Sequence, residues 1–460
     1  MHELVRTNDP VLVTAVEALL KGASIRFVVL DGNMSVLEGS LGKYVDFKVM
    51  PDFAGSSFTL FDAYVDLKPF EFLKLRAGKF KPPVGLERLQ SAKDLIFVER
   101  ALPTNLVPNR SVGLEIWGAP FDGALTYELG AFDFAPDLGN VNGNLNDDFT
   151  FDGRVFAQPF ISTDIAAVKG LGAGISGSYG SQIGTLSNSD LPTYKSAGQA
   201  NIFSYVTGTT IDKQAIQSGN LTRFEPQAYW YFGPLGVLFE YNQSRTPVTL
   251  DKTSDTIANA AWQVTGQWIL TGEENSFKGI TVKNPFDPWN GKWGAVAVSA
   301  RYGTLDVDRD AFRLKFADPT KSVQRAEEFA LGTEWFWNRN IQVYLDYFQT
   351  EFYKGAGSGT YNRPTEHAVI GRIQPVAFAF VFAMSGAVGP IIGQNLGAGQ
   401  AARRATLPAV RRAFFPRASP SPRGSACRHR VRARWQGPRE ARASCRRPSP
   451  SSCRPWSGAS

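Results

Sequence analysis

From Lys43 the chain alternates apolar and polar residues with a period of two, the spacing of a strand whose two faces meet different surroundings. In Lys43–Met50, Val45, Phe47 and Val49 fall on one side, with Tyr44, Asp46 and Lys48 on the other. Over Phe58–Lys68, Phe61, Ala63, Val65 and Leu67 oppose Leu60, Asp62, Tyr64 and Asp66. Next, Leu73, Leu75 and Ala77 alternate with Lys74 and Arg76. The same pattern returns at Val112–Ala119, Ala124–Phe132, Arg154–Gln158, Gly170–Gly180, Phe224–Phe232, Leu235–Ser244 and Ala261–Thr271. Gly294–Thr304, Glu327–Trp337, Asn340–Thr350 and His367–Gln374 complete the set. These fourteen segments predict an all-β protein. Most have about 8–12 residues, near what a tilted strand needs to cross a membrane. Tight connections (Gly233-Pro234, Asn338-Arg339) and long ones (181–222, 272–292, 305–325) are expected at opposite ends of a barrel. Trp335, Trp337, Tyr344, Tyr347 and Tyr353 sit where an interfacial girdle would place them. A large soluble β-sandwich alternates in the same way, so pattern alone leaves both architectures open.

One stretch interrupts the period. Leu73–Trp117 opens and closes as strand, but Pro82-Pro83 and Gly85 end the pairing, because proline lacks the ladder donor and glycine relaxes the backbone. Between lies a long segment carrying Lys79, Lys81, Arg88, Lys93, Arg100 and Arg110 among Leu, Ile, Phe and Val. Unstructured loops of this length are usually functional or disordered. One this rich in apolar side chains is expected to pack against something.

The ends of the chain read differently. Asn8-Asp9-Pro10 offers a helix start, Val11 to Lys21 an amphipathic helix and Ile25 to Leu30 a short buried strand. This opening does not read as a signal peptide: Glu17 interrupts the apolar run, the start is not cationic and no small-residue cleavage site follows. From Arg403 onward there are 15 arginines, no lysine and one acid, Glu440, a net of +14. Removing those from the totals of 49 basic and 42 acidic residues leaves 34 and 41, so the body is at −7 although the whole chain is at +7. The basic character therefore belongs to the tail, and the body invites no nucleic-acid reading. The tail suits a disordered basic arm for nucleic acid or anionic lipid, or GC-rich DNA read in a wrong frame. Its lack of lysine favours the second. With 44 Gly, 33 Phe, 14 Tyr and 10 Trp but no apolar run of 18 residues, the chain does not read as a helical membrane protein.

Several strings carry family resemblance. FDAYVDLKP (61–69), RAGKFKPPVGLERLQS (76–91), FVERALP (97–103) and NRSVGLEIWG (109–118) resemble the phosphate-selective porin O and P family. So do YFGPLGVLFEYNQSR (231–245), WQVTGQWILTGEE (262–274), GKWGAVAVSARYGTLDVD (291–308), LGTEWFWNRNIQVYLDYFQTEF (331–352) and HAVIGRIQ (367–374), in the family's order. Residues 1–42 resemble half of a small soluble bacterial domain described as signal-transducing. SGAVGPIIGQNLGAG, within 375–402, resembles one fragment of the multidrug and toxic compound extrusion transporters, far too short to transport. The expected layout is thus an α/β fragment at 1–42, a porin barrel at 43–374, a transporter-like fragment at 375–402 and a disordered tail at 403–460, the mark of a mosaic reading frame.

The porin resemblance implies a sixteen-stranded, homotrimeric barrel in bacterial outer-membrane lipid. It would conduct small anions, plausibly phosphate, with no cofactor. In that family the third extracellular loop folds inward and supplies basic residues to an anion-binding constriction. By motif that loop is 81–110, and the residues implied are Lys81, Arg88, Lys93 and Arg100, then Arg110, with Lys74 and Arg76 on the wall below. A ring of Lys and Arg at a narrowing favours anions, and arginine adds a fork of donors for phosphate oxygens. Glu87, Asp94 and Glu99 share the loop, either orienting the cations or neutralising them. For any one cation, a salt bridge anchoring the loop to the wall competes with substrate contact. The competing reading is a soluble regulatory protein, as residues 1–42 suggest. The lack of a signal peptide favours it, and together with the lack of a terminal aromatic counts against export of the chain as written.

No enzyme constellation assembles. His2, His367 and His429 are scattered, Cys427, Cys445 and Cys453 lack paired spacing, and Gly172 and Gly174 lack the third glycine of a dinucleotide loop. Glu273-Glu274 and Asp147-Asp148 lack the spaced oxygen ligands of a calcium loop.

Overall fold

The structure, a computed structural model, describes residues 26–31, 35–52, 59–142, 148–338 and 340–375. The chain divides into two units, 1–394 and 395–460, and every described residue lies in the first. The helix expected over Val11–Lys21, the transporter-like segment and the arginine-rich tail lie outside the described residues.

Sixteen strands form one sheet in which each pairs antiparallel with its neighbour in sequence order. They are β1 (Arg26–Asp31), β2 (Ser35–Ser40), β3 (Val45–Asp52), β4 (Thr59–Phe70), β5 (Leu73–Phe80), β6 (Ser111–Gly118), β7 (Leu125–Asp133), β8 (Phe149–Ala157) and β9 (Gly170–Ile183). There follow β12 (Ile216–Phe232), β13 (Leu235–Leu250), β14 (Thr253–Ile269), β15 (Ala295–Asp306), β16 (Arg325–Asn338), β17 (Ile341–Tyr353) and β20 (Glu366–Pro375). Two small hairpins, β10–β11 (Thr193–Lys195, Asn201–Ser204) and β18–β19 (Gly355–Ala356, Ser358–Asn362), belong to connections. The fourteen expected strands are all present, and the sheet begins upstream of the boundary placed at Lys43. β1 pairs with β2 and β2 with β3, so residues read from sequence as a separate α/β fragment continue the same ladder.

The faces of the sheet are inverted relative to a soluble protein. In β13, Leu235, Val237 and Phe239 are exposed while Glu240, Asn242, Ser244 and Thr246 on the other face are buried. In β16, Phe329 and Leu331 are exposed whereas Glu328 and Glu334 are buried. Exposed Leu114, Ile116, Leu129, Phe151, Val155, Ile175, Leu345 and Val369 continue this apolar outer band. A sandwich buries its apolar faces between sheets, so this pattern excludes it. Apolar outside and polar inside is the patterning of a transmembrane barrel. No described helix is long and apolar enough to cross a membrane. The sheet's curvature is visible through residues 81–110, which contact inward side chains of β4, β12, β13, β14, β15 and β17. A sheet whose fourth and fifteenth strands both touch one loop has wrapped around it. Among the described residues the end strands β1 and β20 are not paired with each other.

Two expectations from pattern need correction. Because connections alternate ends, 270–294 lies at the end of the tight turns 233–234 and 339–340, not with the long loops 184–215 and 307–324. Loop length is a statistical guide to sidedness, whereas strand parity decides it. Tyr344 is not a girdle residue: it is 3% exposed and faces inward, with its hydroxyl donating to Gln342 Oε1 at 2.8 Å. Along β17 the odd positions Leu345 and Tyr347 point outward, so Tyr344 must point in.

Candidate functional site

The loop 81–110 leaves β5 and returns to β6 through the interior of the barrel. Its first turn, α1 (Leu86–Leu89), opens at Gly85, whose φ of 92° suits glycine and where a Cβ would come within 2.7 Å of Arg88 Cβ. No local side chain caps this turn. Glu225, on the inward face of β12, instead accepts the Gly85 and Leu86 N–H groups at 2.5 and 2.6 Å. Glu240 on β13 accepts from the Glu87 amide at 3.2 Å, and Asp346 on β17 from the Val98 amide at 2.7 Å. Glu87 accepts from the Ala101 amide at 2.8 Å. The loop is thus fastened by carboxylates taking its backbone donors, charge-assisted bonds stronger than neutral ones. Its apolar residues pack as expected. Leu102 and Leu106 join Tyr194, Ile202, Phe203 and Phe316 from two other loops, filling the β12–β16 side of the interior.

The expected cations separate into four groups. Arg110 and Arg76 are anchors. Arg110 Nε bonds Asp62 Oδ1 at 2.7 Å, and Arg76 meets Asp66 through two bonds, of 2.7 and 3.0 Å, with Glu115 at 3.7 Å. Lys74 lies over the Trp117 ring at 4.3 Å. Lys93 is exposed and pairs with its neighbour Asp94 at 2.8 Å, apart from the rest. Lys81, Arg88 and Arg100 form no ion pair within 4 Å among the described residues; neutral acceptors hold them. Lys81 Nζ donates to the carbonyls of Arg88 (2.6 Å) and Gln90 (2.9 Å). Arg100 donates to the Gln90 carbonyl as well, at 3.1 Å, and to that of Glu87 at 3.3 Å. Arg88 donates to the Thr104 carbonyl (3.3 Å) and to Asn109 Oδ1 (3.2 Å), which also accepts from Arg110 at 3.0 Å. Two cations on one oxygen are within about 6 Å of each other, which holds for both Lys81–Arg100 and Arg88–Arg110. Four cations are gathered around a single short carboxylate contact, Asp62 on Arg110.

The electrostatics follow from that crowding. Burial pushes the Lys81 ammonium well below the usual lysine range, and Arg100, Arg110 and Arg88 push it further. Arg88 is held at about 9 by burial, with Arg100 and Arg110 adding to the fall. Arg100 is lowered too, by burial first. Among the acids, burial raises both Asp94 and Glu99. Glu99 accepts from Gln199 at 2.8 Å. Glu87 is bonded to the loop's own backbone and lies 3.6 Å from Arg301.

Sequence reasoning missed the wall. Lys48–Asp62 (3.3 Å), Lys68–Asp46, Arg154–Glu128 (2.9 Å), Arg223–Asp137 (2.7 Å) and Arg301–Glu328 (2.8 Å) are inward charges in mutual pairs. A signal for the strand members existed: each is a charged residue in the polar phase of an alternating strand. Inward side chains on β12–β16 are nearly all fully buried, whereas Lys48, Lys68 and Arg76 on β3–β5 keep 25%, 31% and 21% exposure. Asp62, Asp66 and Lys79 on β4 and β5 are buried, so Lys48, Lys68 and Arg76 are the more accessible of the inward charges there.

A curled sixteen-strand sheet, apolar outside and charged inside with a basic loop folded into its bore, defines an outer-membrane porin, a channel. The sequence profile of the phosphate-selective porin O and P family matches residues 22–374, and the chain belongs to that family. Its structure is similar to the anion-selective porin from Comamonas acidovorans (12% identity, 77% of this chain and 94% of that one covered, TM-score 0.45). It is similar also to the outer-membrane channel DcaP of Acinetobacter baumannii (10%, 74% and 84%, 0.44) and to OmpT of Vibrio cholerae (10%, 75% and 89%, 0.42). No curated protein sequence matches. Neither the family match nor the fold supports the soluble regulatory alternative.

Proposed function

We propose that this porin passively conducts small anions, phosphate among them, and that Lys81, Arg88 and Arg100 select them. The observation that carries this reading is the imbalance of pairing. Most wall cations are neutralised by a partner acid, while these three are held on carbonyl and amide oxygens beside Arg110. Like charges about 6 Å apart repel by roughly 3 kcal/mol at an effective dielectric of 20, and an entering anion relieves that repulsion. Carbonyl partners orient the donors without cancelling their charge, so an anion can replace water at them at little reorganisation cost. The homotrimer that the family implies is part of this reading, and chemical cross-linking of the refolded protein checks it. The deciding experiment is the reversal potential of the refolded full-length chain in a planar bilayer under a KCl gradient, with phosphate added as a blocker. Anion selectivity with phosphate block supports the assignment; cation selectivity overturns it.

A further inference from the structure

We infer that a notch on the outer face of the barrel, at the end carrying the loops 184–215 and 307–324, holds the headgroup of a membrane lipid that bears both a phosphate and a primary amine.

Strand register builds the notch. Ala260, Asp306, Arg325 and Tyr353 are successive cross-strand partners on β14, β15, β16 and β17, so they stand at one level of the outward face. Ala258 and Ala260 give a floor with no side chain beyond Cβ, and Asp308, Arg309 and Gln324 complete the lining. The cavity measures about 450 Å³, the size of a small-molecule site.

Its depth is that of a headgroup. One row toward the apolar band stand Trp262, Thr304, Glu327 and Glu351, and one row further Val264, Tyr302 and Phe329, all three exposed. Tyr302 meets Trp262 edge-on at 5.7 Å, and such rings settle at the membrane interface. Two rows are four residues, about 13 Å along a strand and roughly 10 Å in height at a barrel tilt near 40°. The notch therefore lies just past the hydrocarbon, where the polar layer begins.

The charges around it are partly committed. Asp308 accepts from the Ala258 and Asp310 amides at 2.9 and 3.0 Å, and Arg325 lies 2.8 Å from Glu327. Asp306 is held loosely, 3.4 Å from Arg325 with its side chain 47% exposed. Arg309 is exposed, and Arg245 stands in register beside Ala258, bonded only to Gln243 at 3.1 Å. Neither arginine makes an ion pair within 4 Å among the described residues. Two guanidinium groups flank an alanine floor, and forked donors of this kind suit phosphate oxygens. Asp306 supplies the acceptor for an ammonium beside that phosphate. A head with a single negative charge leaves the aspartate unanswered, and one with a quaternary ammonium brings it no N–H donor.

Native mass spectrometry of the refolded full-length chain, released from micelles holding phosphatidylethanolamine, phosphatidylglycerol and phosphatidylcholine of matched acyl chains, tests this. The wild-type channel should retain phosphatidylethanolamine at least fivefold over the other two. Ala260→Trp, which fills the floor, should bring it down to their level, whereas Ala173→Trp on the exposed face of β9 should not. Arg309→Ala should lower retention at least fivefold, and Asp306→Asn should erase the preference for the amine. Equal retention of the three lipids by the wild-type chain overturns the inference, as does an unchanged lipid profile in heat-modifiable Ala260→Trp and Arg309→Ala channels. Displacement of the lipid by soluble glycerophosphoethanolamine at equal concentration would make the notch a solute site and overturn the lipid assignment.

Discussion

Glu225 offers the sharpest test of how the basic loop is held. It is 1% exposed, and its two carboxylate oxygens accept the Gly85 and Leu86 amides, while Ser176 also donates to it. Glu225→Ala strands two buried N–H groups at the start of α1. Each costs about 1–3 kcal/mol when left without an acceptor, so the loop's first turn loses roughly 2–6 kcal/mol of attachment. At about 4 kcal/mol the ratio of detached to attached loop rises by nearly a thousandfold, since every 1.4 kcal/mol is tenfold. Attachment through Glu240, Asp346 and Glu87 remains, so the barrel should still refold and keep heat-modifiable migration. The assay is single-channel recording in a planar bilayer: conductance should rise, flicker should appear and anion selectivity should fall. Glu225→Gln, which keeps one acceptor oxygen, should fall between. A folded Glu225→Ala channel with wild-type conductance and reversal potential would refute the idea that this carboxylate fastens the loop.

Arg100→Gln should weaken phosphate block by tenfold or more, because one cation within about 6 Å contributes roughly 3 kcal/mol at an effective dielectric of 20; Lys93→Ala, whose charge is already paired, should change block less than twofold. Lys81 loses its proton below the ordinary lysine range, so anion selectivity should decline on the alkaline side before pH 10.5 is reached, and Lys81→Met should abolish that part of the profile; a flat wild-type profile refutes it. Glu99, raised by burial, should take up its proton earlier than a free glutamate as pH falls, so acid should strengthen selectivity and Glu99→Gln should remove that limb. Leu331→Arg places a charge on the outer band and should lower refolded-barrel stability by about 2–4 kcal/mol in urea titrations if that face meets lipid; no loss would place it elsewhere.

Some of this was legible before any fold was known. Period-two alternation located the strands, and the proline pair and Gly85 located the loop, because both signals are local. Strand ends were read short for a physical reason. In β13 the outward residues turn polar at Gln243 and Arg245, so the alternation disappears although the ladder runs on to Leu250. What local pattern could not decide was which charges cancel. Asp66 and Arg76 face each other only through the register of β4 and β5, and Glu225, Glu240 and Asp346 meet the loop 139 to 248 positions away in sequence only once the sheet has curled. The end of the barrel on which 270–294 emerges depends on the parity of every strand before it, so sequence length misled there. The sequence by itself determined an alternating all-β chain broken by a basic loop at 81–110, with the barrel implied by family resemblance rather than by pattern. Only the tertiary structure decided that Arg76 and Arg110 pair with wall acids while Lys81, Arg88 and Arg100 have no ion-pair partner within 4 Å among the described residues, since neutralisation is a property of distances across the lumen.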